Sequence, residues 1–115
     1  MGSPAKKLTV TVEGIEPGKL RGQRIAKAGS RRAHVEFDLI GDTITVSEGD
    51  KIVFEFYTSK PSSLDKFIFC GQGYVTSKLE DDFTLFSVWG ILFKFKPSLG
   101  LEPETKYYLC IRRIK

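Results

Sequence analysis

The sequence predicts an all-β fold of about 7–8 strands, a barrel or a sandwich, with a small closed antiparallel barrel preferred. Three observations carry this. Apolar residues recur with a period of two along most of the chain. Gly-, Pro- and Asp-containing breaks recur at about 8 to 12 residues. No long window carries an apolar stripe of helical spacing. Closing a barrel also removes free strand edges, which matters for a chain with nine phenylalanines.

In chain order, Leu8, Val10 and Val12 alternate with Thr9, Thr11 and Glu13, a strand with one apolar face. Glu16-Pro17-Gly18 is turn chemistry, because Pro presets φ and Gly accepts positive φ. Leu20 to Ala28 reads as a polar second strand, with Gly22 as a bulge. Val35, Phe37 and Leu39 mark the next strand, ended by Gly41-Asp42. Ile44 and Val46 suggest a short strand before the turn Glu48-Gly49-Asp50. Ile52, Phe54 and Phe56 then alternate with Lys51, Val53 and Glu55.

Ser59 to Ser63 reads as a loop. A strand from Phe67 to Leu79 follows, expected to bend or bulge at Gly71 and Gly73. After the polar turn Glu80-Asp81-Asp82 the apolar run from Phe83 reads as one central strand, with a sharp bend at Gly90. Trp89 falls on its apolar stripe and is expected in the core. Pro97 to Pro103 is a connector, and Tyr107, Leu109 and Ile111 close the chain as a strand. Residues 1–7 are expected to be a flexible tail and residues 8–115 a single barrel domain.

Composition narrows the function. The chain has 115 residues, 41% hydrophobic and 28% charged, which is ordinary for a globular domain. The uncharged run from Phe83 to Phe93 falls well short of the roughly 20 residues that span a bilayer. No N-terminal secretion signal is legible, so secretion is not expected. Two cysteines, Cys70 and Cys110, are too few for a disulfide scaffold or a zinc cluster, and both are expected to be inert packing residues. The single histidine, His34, reads as a strand-end residue. No phosphate-binding Gly-rich loop and no nucleophile elbow is present. Glu80-Asp81-Asp82 has the ligand type for Mg²⁺, but adjacent carboxylates after a strand read better as a solvated turn. No catalytic, cofactor-binding or metal-binding residue is therefore assigned.

The +4 net charge is uneven. Residues 1–32 hold eight basic and two acidic side chains, a balance of +6; residues 33–115 hold ten and twelve, a balance of −2. Such a field attracts phosphate or an acidic protein surface. Lys19, Arg21, Arg24, Lys27, Arg31 and Arg32 are the candidate contacts. Tyr57, Tyr74 and Tyr108 lie opposite the strongest apolar face of their strands. They are candidate stacking platforms for single-stranded bases, although on residues alone the better reading is that they fill a second core face.

Several segments together resemble a known family. They are Gly14 to Lys19, Phe37 to Ile40, Ile44 to Val46, Gly49-Asp50-Lys51, Gly73-Tyr74-Val75, Ser87 to Leu92 and Tyr107 to Ile114. Their order and spacing resemble the eighth subunit of multisubunit DNA-dependent RNA polymerase, a subunit shared by the three nuclear polymerases and found in some archaea. Nuclear members carry a long, partly acidic insertion where this chain has only Thr58 to Lys66, so the resemblance is to the archaeal form.

The resemblance implies an oligonucleotide/oligosaccharide-binding (OB) type of barrel. It implies a non-catalytic structural subunit docked on the largest polymerase subunit and contacting the rest of the core complex. It also implies a cytoplasmic location in an archaeon, or a nuclear one in a eukaryote, and no membrane partner. The alternative is a free-standing OB-fold protein that binds single-stranded nucleic acid, and weak affinity of that kind is compatible with the subunit role.

Overall fold

A computed structural model describes residues 3–76 and 82–114. Eight strands are present: β1 (Lys6–Pro17), β2 (Gln23–Gly29), β3 (His34–Ile40), β4 (Lys51–Tyr57), β5 (Phe69–Thr76), β6 (Thr84–Val88), β7 (Ile91–Lys96) and β8 (Lys106–Ile114). They close into a barrel in the order β1-β2-β3-β7-β6-β5-β8-β4, and every pairing is antiparallel. This is the all-β architecture that the alternation predicts, closed as the OB-like barrel that the family resemblance implies.

β1 serves two neighbours. Lys6 to Thr11 pair with β4, and Thr11 to Pro17 pair with β2. The register shifts between Val12 and Gly14, so Glu13 is the bulged residue that turns the strand from one partner to the other. Lys6 and Lys7, expected in the tail, already pair with Phe56 and Glu55.

The interior is filled by side chains. Phe37, Phe54, Phe56, Phe86, Phe93 and Phe95 are all at most 1% exposed. They meet mainly edge to face, with centroids 5.2 to 5.6 Å apart for pairs such as Phe56–Phe86 and Phe37–Phe54. That geometry suits the ring quadrupole and adds to the burial energy. Among the described residues, phenylalanine side chains fill the interior of this small barrel.

Several expectations need correction. Ile44 and Val46 form no strand; they lie in the connection between β3 and β4 and are buried in the main core. Gly22 is not a bulge but lies in the turn before β2, with φ +81°. The run from Phe83 is two strands, β6 and β7, joined by a two-residue loop, Trp89-Gly90. Both loop residues have positive φ (53° and 84°), the signature of a type I′ hairpin turn. Trp89 is accordingly not core: it is 69% exposed at the hairpin tip.

β5 begins at Phe69 and keeps continuous register with β8 through Tyr74, with no bulge. Gly71 and Gly73 serve close approach instead. A Cβ on Gly71 would lie 2.6 Å from Val88 Cγ1, and one on Gly73 would collide with the Ser87 carbonyl oxygen. The inward glycines let β6 settle against β5. The expected strand end at 77–79, and Glu80 and Asp81 of the expected turn, lie outside the described residues.

The wall formed by β4 and β8 is covered on its outer side too. Val53, Tyr57 and Cys110 are buried there but stand apart from the main core. Phe67, in the connection between β4 and β5, lies against Tyr57 at 6.3 Å between centroids. Cys70 and Cys110 face each other in the β5–β8 register and form a disulfide. This corrects the expectation of two inert thiols. Strand pairing brings together two residues forty positions apart, which spacing in the chain cannot reveal.

Candidate interaction surface

The six candidate cations do not form one stripe. Lys19 and Arg21 occupy the β1–β2 turn, Arg24 opens β2, Lys27 sits mid-strand, and Arg31 and Arg32 follow its far end. β2 has seven residues, so its ends are roughly 20 Å apart at about 3.3 Å per residue. Lys27 Nζ is 3.3 Å from Glu16 Oε1. It also pairs across the sheet with Glu36, which in turn pairs with Lys94. Positive and negative side chains alternate across the outer wall here, and the two basic groups remain at opposite ends of the barrel.

The three candidate tyrosines also part company. Tyr57 is 8% exposed, and its hydroxyl donates to a Glu55 carboxylate oxygen, so its ring has no face open to a base. Tyr108 is half-buried and pairs with Gln72 on β5. Tyr74 alone of the three is well exposed, beside Lys106 on β8.

Sequence reasoning missed two features. One is the buried polar cluster on the outer wall of β4. Glu55 is only 3% exposed, yet it accepts from Tyr57 Oη and from Arg112 Nε at 2.7 Å. Burial alone would raise its pKa. The hydrogen bonds from Tyr57 and Arg112, with the charges of Arg112 and Lys66, outweigh that and hold the carboxyl below its ordinary value. Burial, the hydrogen bond to Glu55 and its negative charge push Tyr57 up to about 12. The signal in the sequence was a lone Glu in the apolar run Ile52 to Tyr57, but alternation assigns such a residue to solvent.

The other is the rim carrying Trp89. Register places Ile40 opposite Gln23, and Gln23 N–H donates to the Leu20 carbonyl at 3.1 Å. Leu92 N–H donates to Asp38 Oδ2 at 3.3 Å, two residues before Ile40. Leu20, Ile40, Trp89 and Leu92 are therefore gathered at one end of the barrel, with exposures from 44% to 71%. Among the described residues no group of three or more His, Cys, Asp or Glu side chains is placed to hold a metal ion.

Comparison with known proteins assigns the chain. The family of the G-type subunit of DNA-directed RNA polymerase matches residues 6–114, the whole barrel from β1 to β8. The chain belongs to this family. Two relatives of the subunit support it. Both are named DNA-directed RNA polymerase subunit Rpo8, one from Saccharolobus solfataricus and one from Saccharolobus shibatae. Each is 28% identical to the subunit and aligns with 92% of it, covering 91% and 92% of the relative respectively. The resemblance read from short segments thus extends over the full barrel, and this is an RNA polymerase subunit of the archaeal type.

Proposed function

We propose that the subunit is a non-catalytic structural component of DNA-dependent RNA polymerase that docks on the largest subunit. The observation that carries this reading is the filled interior. Six fully buried phenylalanines occupy the space in which a ligand-binding barrel would hold its ligand. The outer wall and rims remain as the working surface. Binding there stabilises the assembled form by mass action, in proportion to partner concentration and affinity.

The division of the basic residues between two ends favours protein contacts over a nucleic-acid track. A single-strand groove needs cations and stacking aromatics on one continuous path. Here Lys27 and Lys94 are separated by Glu36 on the belt between the two ends.

The test is a pull-down from native extract with the full chain as bait. The largest polymerase subunit is expected as the principal bound protein, retained when the extract is treated with nuclease. A salt-washed polymerase core that lacks the chain, with the chain eluting alone, would contradict the proposal. A parallel fluorescence titration with single-stranded DNA and RNA at two salt concentrations is expected to show no salt-dependent binding in the micromolar range. Tight binding there would instead support the nucleic-acid reading.

A further inference from the structure

Trp89 breaks a local rule. It occupies the first central position of a type I′ turn, with φ +53°, where Asn, Asp or Gly is favoured. A bulky aromatic in the left-handed region is uncommon and costs conformational energy. Core packing does not repay this. The indole touches Phe69 edge-on, with centroids 5.6 Å apart, yet remains 69% exposed. A strained, exposed tryptophan at the same end of the barrel as three exposed aliphatic side chains is the composition of an interface anchor.

We infer that the Trp89 rim is the part of the subunit that seats on its polymerase partner. The indole would enter an apolar pocket of the partner, Leu20, Ile40 and Leu92 would add apolar contacts at the same end of the barrel, and Lys19 and Arg21 would meet carboxylates on the partner. This rests on the polymerase-subunit reading and adds the surface and the partner's chemistry.

The charge on the rim supports an acidic partner. Lys19 and Arg21 flank Leu20, and among the described residues neither they nor Arg24 has a carboxylate within ion-pair distance. The acids of this end are Glu16, held by Lys27; Asp38, which accepts from Gln23 and the Leu92 N–H; and exposed Asp42. Lys19 and Arg21, both exposed on the β1–β2 turn, thus have room for an external carboxylate. Aliphatic companions also argue for protein rather than nucleic acid: Leu and Ile bury apolar side chains, whereas bases stack on aromatic rings.

The test exploits the turn. Trp89→Asn installs the Asn-Gly pair that a type I′ turn prefers, so the barrel should fold at least comparably, with Tm within about 4 °C of wild type. Polymerase core stripped of the subunit is reconstituted with equal amounts of differently tagged wild-type and variant chains. W89N is expected to lose on the order of 30-fold in competition, the scale of a hot-spot residue. Lys19→Glu with Arg21→Glu is expected to weaken incorporation as well, and to leave it less dependent on salt.

W89N incorporated equally with wild type would overturn the inference while leaving the subunit reading intact. A wild-type chain that fails to enter the core would overturn both. A W89N chain that assembles normally but loses affinity for single-stranded RNA would assign the rim to nucleic acid and so overturn it too. Unchanged assembly of the double Glu variant would refute the acidic partner.

Discussion

Glu55 is a carboxylate buried on a strand whose neighbours Ile52 to Tyr57 are all buried as well. It is tolerable there because both oxygens are engaged, one by Tyr57 and one by Arg112. The two shifted groups set two edges on the stability profile. Glu55 titrates below its ordinary 4.5 in the folded chain, so its contribution is complete above that value and is lost as pH falls through the folded value. Tyr57, at about 12 against an ordinary 10.0, contributes fully below 10 and loses that contribution as pH rises toward 12. Urea unfolding across pH should show both limbs. Glu55→Gln is expected to flatten the acid limb and, by leaving Arg112 short of its charged partner, to cost about 1.5–3 kcal/mol at neutral pH. Tyr57→Phe should flatten the alkaline limb; an unchanged limb in either variant would show that the cluster does not control the profile.

The β6–β7 hairpin shows how period-two reading goes astray. Inward residues are even-numbered in β6 (Thr84, Phe86, Val88) and odd-numbered in β7 (Ile91, Phe93, Phe95). The pair Val88–Ile91 spans three positions, so a two-residue turn changes parity. Counted as one strand, the segment is apolar on both faces and Trp89 is assigned to the inside. The glycines of β5 were legible as special positions, but the reason for them lies in the neighbouring strand. Gly73→Ala should force the Ser87 backbone away from β5 and destabilise the barrel by roughly 1–3 kcal/mol, measured by chemical denaturation. A variant as stable as wild type would mean that β6 can shift freely.

Across the whole barrel, the Cys70–Cys110 bond ties β5 to β8 and closes a long loop that includes β6 and β7. Constraining the unfolded chain in this way typically contributes 2–4 kcal/mol. Replacing both cysteines by Ser should therefore lower the unfolding free energy by about 2–4 kcal/mol, and reduced wild type should then unfold with the variant. Equal stability of oxidised and reduced wild type would contradict this. Cytoplasmic thiols are mostly kept reduced, with proteins of hyperthermophiles the known exception. A thiol count on the protein purified from its native cells under alkylation would report which form assembles.

Alternation alone determined that this chain is all-β, because burying every second side chain is a local property of each strand. It also located the phenylalanine interior and the uneven charge, since both follow from residue type and parity. Tertiary structure decided which residues share a surface. Closure of the barrel put Ile40 and Leu92 at the end that carries the hairpin tip, separated the basic groups of β2, joined two distant cysteines and buried Glu55 against Tyr57 and Arg112. These outcomes depend on which strands become neighbours and in what register, and a period of two is the same for every possible neighbour.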